Sequence, residues 1–196
     1  MDALLALTNG LGNVNAGLLA LGRWIGATAV ALMVAIILIQ VFFRYVIGTA
    51  LAWPEEAARF LMLWMTGLMA PTAFRRGGFV GIELVVRLLP GKIAAGLTLL
   101  LLILSLVILV TGLGLAWSEV TGLGGRFETD SLRVPVSLDL STWMKVPKAW
   151  MMASMLVGLL LLISVAVELL LRNLVVLLGG TNDLRAIPGT ATMGAE

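Results

Sequence analysis

Residues 93–118 read IAAGLTLLLLILSLVILVTGLGLAWS, from Ile93 to Ser118 without one charged side chain. A helix that rises about 1.5 Å per residue needs roughly 20 such residues to cross the apolar core of a bilayer. Three neighbouring stretches repeat the pattern. Trp24 to Phe43 is uncharged and ends against Arg44-Tyr45; Ala57 to Phe74 holds only Arg59; Ala149 to Val167 stops at Glu168. The expectation is an all-α integral membrane protein with four transmembrane helices over residues 24–45, 57–74, 93–118 and 149–168. Pro71 lies inside the second span and is expected to kink or end its helix.

The whole chain agrees with this solvent. Of its 196 residues 60% are apolar and 12% charged, with a mean hydropathy of +1.07. Water-soluble domains run about 45–50% apolar and about 25% charged. There is no Cys and no His. That excludes disulfides, thiolate nucleophiles, iron–sulfur clusters, the usual zinc sites and bis-His haem. It also removes the side chain most used for proton transfer near neutral pH. No cofactor is expected, and no catalytic residue. The net charge of +2 is sparse and sits in loops, which makes it a topology signal rather than a nucleic-acid surface.

Lys and Arg in short loops set orientation. Arg75, Arg76, Arg87 and Lys92 crowd the segment between spans two and three. The longer segment between spans three and four offsets Arg126, Arg133, Lys145 and Lys148 with Glu119, Glu128, Asp130 and Asp139. The compact basic loop is therefore expected in the cytoplasm, with both termini, and the longer loop in the periplasm. The start Met1-Asp2-Ala3-Leu4 lacks the basic region of a signal peptide, so retention of the N-terminus is expected.

Short interfacial amphipathic helices complete the plan. Leu4, Leu7, Leu11, Val14, Leu18 and Leu21 recur at helical spacing opposite Thr8, Asn9, Asn13 and Asn15, a pattern suited to the headgroup plane. Val80 to Leu89 is a second such piece, with Glu83 and Arg87 at i,i+4. Leu169 to Leu178 continues apolar around Arg172. Residues 1–180 are expected to form a single membrane domain, and 181–196 a polar tail after Gly179-Gly180. No repeat is visible.

Candidate functional residues concentrate between Phe42 and Pro90: Phe42-Phe43-Arg44-Tyr45-Val46-Ile47-Gly48, then Leu51-Ala52-Trp53-Pro54-Glu55-Glu56, Arg59, Trp64, Arg75-Arg76-Gly77-Gly78 and Leu88-Leu89-Pro90. Pro54 followed by two glutamates is a helix start, because proline's fixed φ suits the first turn and carboxylates complement its free N–H groups. Arg59 is within pairing reach of Glu55 or Glu56. Arg44 reads either as an interface anchor beside Tyr45 or as a partner of Glu55 or Glu56. Small residues at four-residue steps, in Ala27-Ala31-Ala35, Thr66-Ala70 and Ser154-Gly158, permit close helix approach, within this chain or against another. Arg75, Arg76, Arg87 and Lys92 are candidate lipid-headgroup ligands.

These motifs, in this order, resemble the small, Q-type, four-helix membrane subunit of TRAP (tripartite ATP-independent periplasmic) transporters. The matching features are Phe-Arg-Tyr-Val at the end of span one, Trp-x-Glu-Glu with Arg59 and Trp64 in span two, and Arg-Arg-Gly-Gly before a segment closing on Leu-Pro. Phe79 stands where the family often has His, and Glu83 takes the place of an acid that follows. The resemblance implies a non-catalytic subunit of the bacterial inner membrane. Its partners would be a large elevator-type membrane subunit that binds substrate and sodium, a periplasmic substrate-binding protein and membrane lipids. The transporter would import small organic acids. Arg44, Trp53, Glu55, Glu56, Arg59 and Trp64 become candidate contacts with the large subunit or topology signals. The periplasmic loop would dock the binding protein or simply be solvated. A self-sufficient four-span carrier acting as a homo-oligomer is the rival from the residues alone, and the membrane anchor of an enzyme complex a third reading.

Overall fold

The computed structural model describes residues 2–77, 89–135, 143–178 and 187. Its long elements are helices α1 (Asp2–Phe42), α2 (Trp53–Arg75) and α3 (Gly91–Thr121). A short α4 (Leu123–Arg126) leads into strands β1 (Glu128–Pro135) and β2 (Trp143–Pro147), and α5 (Lys148–Leu177) closes the described chain. Among the described residues three helical stretches are long and apolar enough to cross a membrane: Ala3–Ile47, Ile93–Thr121 and Lys148–Leu177. Helix α2 has the length, at 23 residues, but not the hydropathy. Arg59, Thr66, Pro71 and Thr72 dilute its apolar run.

Two sequence expectations change. The N-terminal amphipathic stretch is not a separate interfacial helix, because α1 runs unbroken for 41 residues. It contains no proline, and its glycines each cost up to about 1 kcal/mol without ending it. The chain is not all-α: β1 and β2 pair antiparallel in the segment between the last two spans, with Val134 opposite Met144 and Arg133 opposite Lys145. Pro71, expected to kink or end its helix, lies inside α2, which continues to Arg75. Helix α1 ends differently. Phe43–Ile47 widens into a π-helical turn, and Gly48, at φ 75°, donates its N–H to the Phe43 carbonyl. The left-handed region suits glycine, which has no Cβ to clash there. The amphipathic segment expected at 80–89 lies outside the described residues except for Leu89, as does the 181–196 tail except for Ile187.

The chain forms two compact units. Unit 1 comprises Met1–Leu21, Ala70–Gly112 and Leu159–Glu196. Its apolar core includes Leu19, Leu102, Val165, Ala166 and Val175, but the same interior holds Thr8, Asn15, Thr72, Arg75 and Glu168. Asn173 Nδ2 donates to the Ala95 carbonyl at 3.1 Å, tying α5 to α3.

Unit 2 comprises Gly22–Met69 and Leu113–Gly158. Its core is small-sided: Ala29, Ala57, Ala116 and Ser154 are buried with Leu68 and Val146. Helices α2 and α5 approach closely at Gly67, where a Cβ would collide with the Ser154 carbonyl oxygen. A Cβ on Gly158 would lie 2.8 Å from the Gly67 carbonyl oxygen. Pro71 stands four residues on and has no N–H to offer that oxygen. The small-residue step at Ser154-Gly158 therefore packs within this chain, against Gly67, whereas Ala27, Ala31 and Ala35 are all exposed.

Candidate functional site

In unit 1 a single carboxylate organises three helical segments. Glu168 of α5 is fully buried, yet every lone-pair direction is used. Its Oε1 accepts from Arg75 Nη2 at 2.7 Å and Arg172 Nε at 3.0 Å. Its Oε2 accepts from Arg75 Nε at 2.9 Å and Asn15 Nδ2 at 2.8 Å. The Arg75 fork is thus bidentate, the arrangement that best matches a carboxylate. Arg75 Nη2 also donates to the Gly12 carbonyl at 2.8 Å, and Ser164 Oγ donates to Asn15 Oδ1 at 2.7 Å.

The chemistry follows from the apolar surroundings. A buried carboxylate without a partner costs several kcal/mol, so it is tolerated only when paired and hydrogen-bonded. Here one anion meets two guanidinium groups, and the polar face of α1 supplies the remaining donor. The cluster can hold helices in register. It has no open coordination position with which to bind and release an ion. Sequence reading placed these residues separately, Arg75 as a headgroup ligand, Glu168 as the end of a span and Asn15 on an interfacial face. The signal that finds the cluster is Glu168 with Arg172 at i,i+4 inside an otherwise apolar run, since an intramembrane acid implies a named partner.

In unit 2 a second carboxylate does different work. Glu56 Oε2 accepts from the Ser131 amide at 2.7 Å, the Ser131 hydroxyl at 2.7 Å and the Leu132 amide at 2.9 Å. Its Oε1 accepts from the Asp130 amide at 3.1 Å. The start of α2 is thereby fastened to β1. Burial pushes the Glu56 carboxyl up, but the bonds from Ser131, Asp130 and Leu132 together outweigh it and hold the carboxyl below its ordinary 4.5. A depressed carboxyl adds stability above its unfolded value and loses it as pH falls through the folded one. We therefore expect the thermal midpoint to be insensitive to this group from pH 7 to 5 and to fall in more acid solution. Glu56→Gln should lose about 1.5–3 kcal/mol at pH 7, the range for hydrogen bonds to a charged group, and should flatten that acid limb. A wild-type-like acid limb in the variant would refute the assignment.

The other candidates of the motif are dispersed. Glu55 pairs with Arg59 at 3.4 Å, and both side chains are largely exposed, so the pair adds little stability. Trp64 Nε1 donates to the Trp150 carbonyl at 3.1 Å, joining α2 to α5. Trp53 is partly exposed, and Arg44 and Tyr45 lie exposed in the π-helical turn. Among the described residues Arg44 makes no ion pair, so the proposed link to Glu55 or Glu56 is not formed. Of the headgroup candidates, Arg75 is turned inward onto Glu168 and Arg76 is half-buried. Arg87 and the Lys92 side chain lie outside what is described. No cluster of metal-binding character occurs among the described residues.

Long apolar helices with exposed flanks, and buried charge closed on itself, define a helical integral membrane protein. Residues 33–176 match the family model for tripartite ATP-independent periplasmic transporters, DctQ component, so the chain belongs to that family and is the small permease subunit of a TRAP transporter. Such a subunit is a non-catalytic component that works with a large membrane subunit and a binding protein. A comparison with curated proteins gives no match.

Proposed function

We propose that this chain is the fixed scaffold of a sodium-driven importer of small organic acids, set beside a large elevator-type subunit in the bacterial inner membrane. In this reading residues 1–180 act as one membrane domain, α2 is a fourth span, and both termini face the cytoplasm. The observation that supports it is the closed state of the Glu168 cluster, whose four accepted hydrogen bonds leave the carboxylate nothing with which to hold a travelling ion. Transporter sites use discontinuous helices and open polar groups near the midplane. A satisfied ionic knot suits a part that stays still. The 23 residues of α2 also give it about 34 Å of length, enough for the hydrocarbon core.

The test is reconstitution. Vesicles holding the large subunit and binding protein should lose nearly all sodium-driven uptake of an organic acid when this chain is omitted. Vesicles holding this chain alone should accumulate none. Undiminished uptake in the first case, or accumulation in the second, would defeat the scaffold reading.

A further inference from the structure

Strand β1 is irregular where it meets Glu56. The ladder pairs Glu128 with Pro147 and Arg133 with Lys145, so residues 129–132 stand against Val146 alone. A bulge of that size takes backbone amides out of the ladder, and each must find another acceptor. The Asp130, Ser131 and Leu132 amides find the same one. Glu56 Oε1 takes the first and Oε2 the other two. Consecutive N–H groups that converge in this way form a nest, a concavity of partial positive charge that suits an anion.

The turn is braced by bonds in which Glu56 takes no part. Thr129 is fully buried, and its Oγ1 donates to the Leu132 carbonyl at 3.0 Å, closing the turn across its base. Val146 opposite is buried too, and the Lys148 amide donates to the Phe127 carbonyl at 2.8 Å where the strand begins. The Ser131 hydroxyl has a choice of acceptor, because the Ala52 carbonyl lies at 3.0 Å beside the Glu56 oxygen at 2.7 Å. The three amides have none, since a backbone N–H cannot swing away. They are shared over two oxygens, which fits a planar carboxylate better than a halide. The Asp130 side chain on the same turn disfavours a dianion, because like charges repel.

We propose that the Asp130–Leu132 turn is a preformed carboxylate-binding nest, with Glu56 as its tethered and replaceable occupant. With that side chain cut away, the nest takes a free monocarboxylate in the same place. The test uses the full chain in its membrane complex and reads amide hydrogen exchange over residues 128–135. Glu56→Ala should speed exchange there many-fold. Formate, and less strongly the bulkier acetate, should restore protection in a saturable way, whereas chloride at the same ionic strength should not. Glu56→Gln keeps the nest filled with a neutral amide, so its exchange should not respond to formate. Glu56→Ser, which keeps a side chain suited to a helix start, is the second small variant and should respond as Glu56→Ala does. Because a ligand that binds only the folded state stabilises it, formate should also raise the yield of either variant that folds poorly. No restoration in either small variant, equal restoration by chloride, or a formate response in Glu56→Gln would each overturn the proposal. So would the failure of both small variants to fold with formate present.

Discussion

Glu168→Ala should cost about 3–5 kcal/mol, the range found when one member of a buried ion pair is removed. The reason lies in what remains. Arg75 is 7% exposed and would keep only the Gly12 carbonyl for its Nη2, while its Nε would face no acceptor. Asn15 and Arg172 would each lose an acceptor as well. Against a total stability of about 5–15 kcal/mol, that loss should appear as a collapse in detergent-extractable, folded protein and a thermal midpoint many degrees lower. The double variant Arg75→Met with Glu168→Leu separates charge from shape. Apolar replacement of a buried pair is often neutral, so much of the lost stability should return. A single variant with an unchanged midpoint, or a double variant worse than the single, would show that the knot does not hold the helices.

Gly67→Leu should rank next. The first added carbon already meets the Ser154 carbonyl oxygen, which is backbone and cannot swing away. Overpacking costs about 1–3 kcal/mol where side chains can adjust and more where they cannot, so we expect about 3 kcal/mol or above. The loss should be local to α2 and α5, and cysteine cross-linking across that contact should weaken while the Glu168 cluster stays intact. Gly158→Ala, whose methyl would lie 2.8 Å from the Gly67 oxygen, should be milder. A Gly67→Leu chain that melts like the parent would mean the helices do not approach as described.

Hydropathy made the helices legible in the sequence, because bilayer length and uncharged runs are one-dimensional facts. It was less informative at their edges. The N-terminal polar face was visible as Thr8, Asn9, Asn13 and Asn15, but periodicity cannot say whether such a face meets headgroups or a buried carboxylate. Arg75 carried the same ambiguity, since an arginine at a helix end suits lipid phosphate and an internal acid equally well. Only the tertiary pairing of positions 75 and 168 decides between them. The helix-start chemistry of Pro54-Glu55-Glu56 was readable, yet its two acids took different fates. Glu55 stays with Arg59, as i,i+4 spacing suggested, whereas Glu56 reaches a strand some 75 residues away. The hairpin itself was hidden by its mixed charges, which made the segment from Glu119 to Lys148 read as loop, whereas Val134 pairs with Met144 across two strands. Small residues announced close packing, but Gly67, the residue at the contact, lay between the Thr66 and Ala70 that the four-residue step picked out.

The fastening of β1 by Glu56 has a consequence for recognition. A loop that hung freely would have to give up conformational entropy on meeting any surface, about 0.5–1.5 kcal/mol for each side chain stilled. Four hydrogen bonds to one carboxylate have already stilled the strand that carries Val134. Whatever touches this part of the molecule meets a template cast in advance, and the energy of contact is not spent on shaping it.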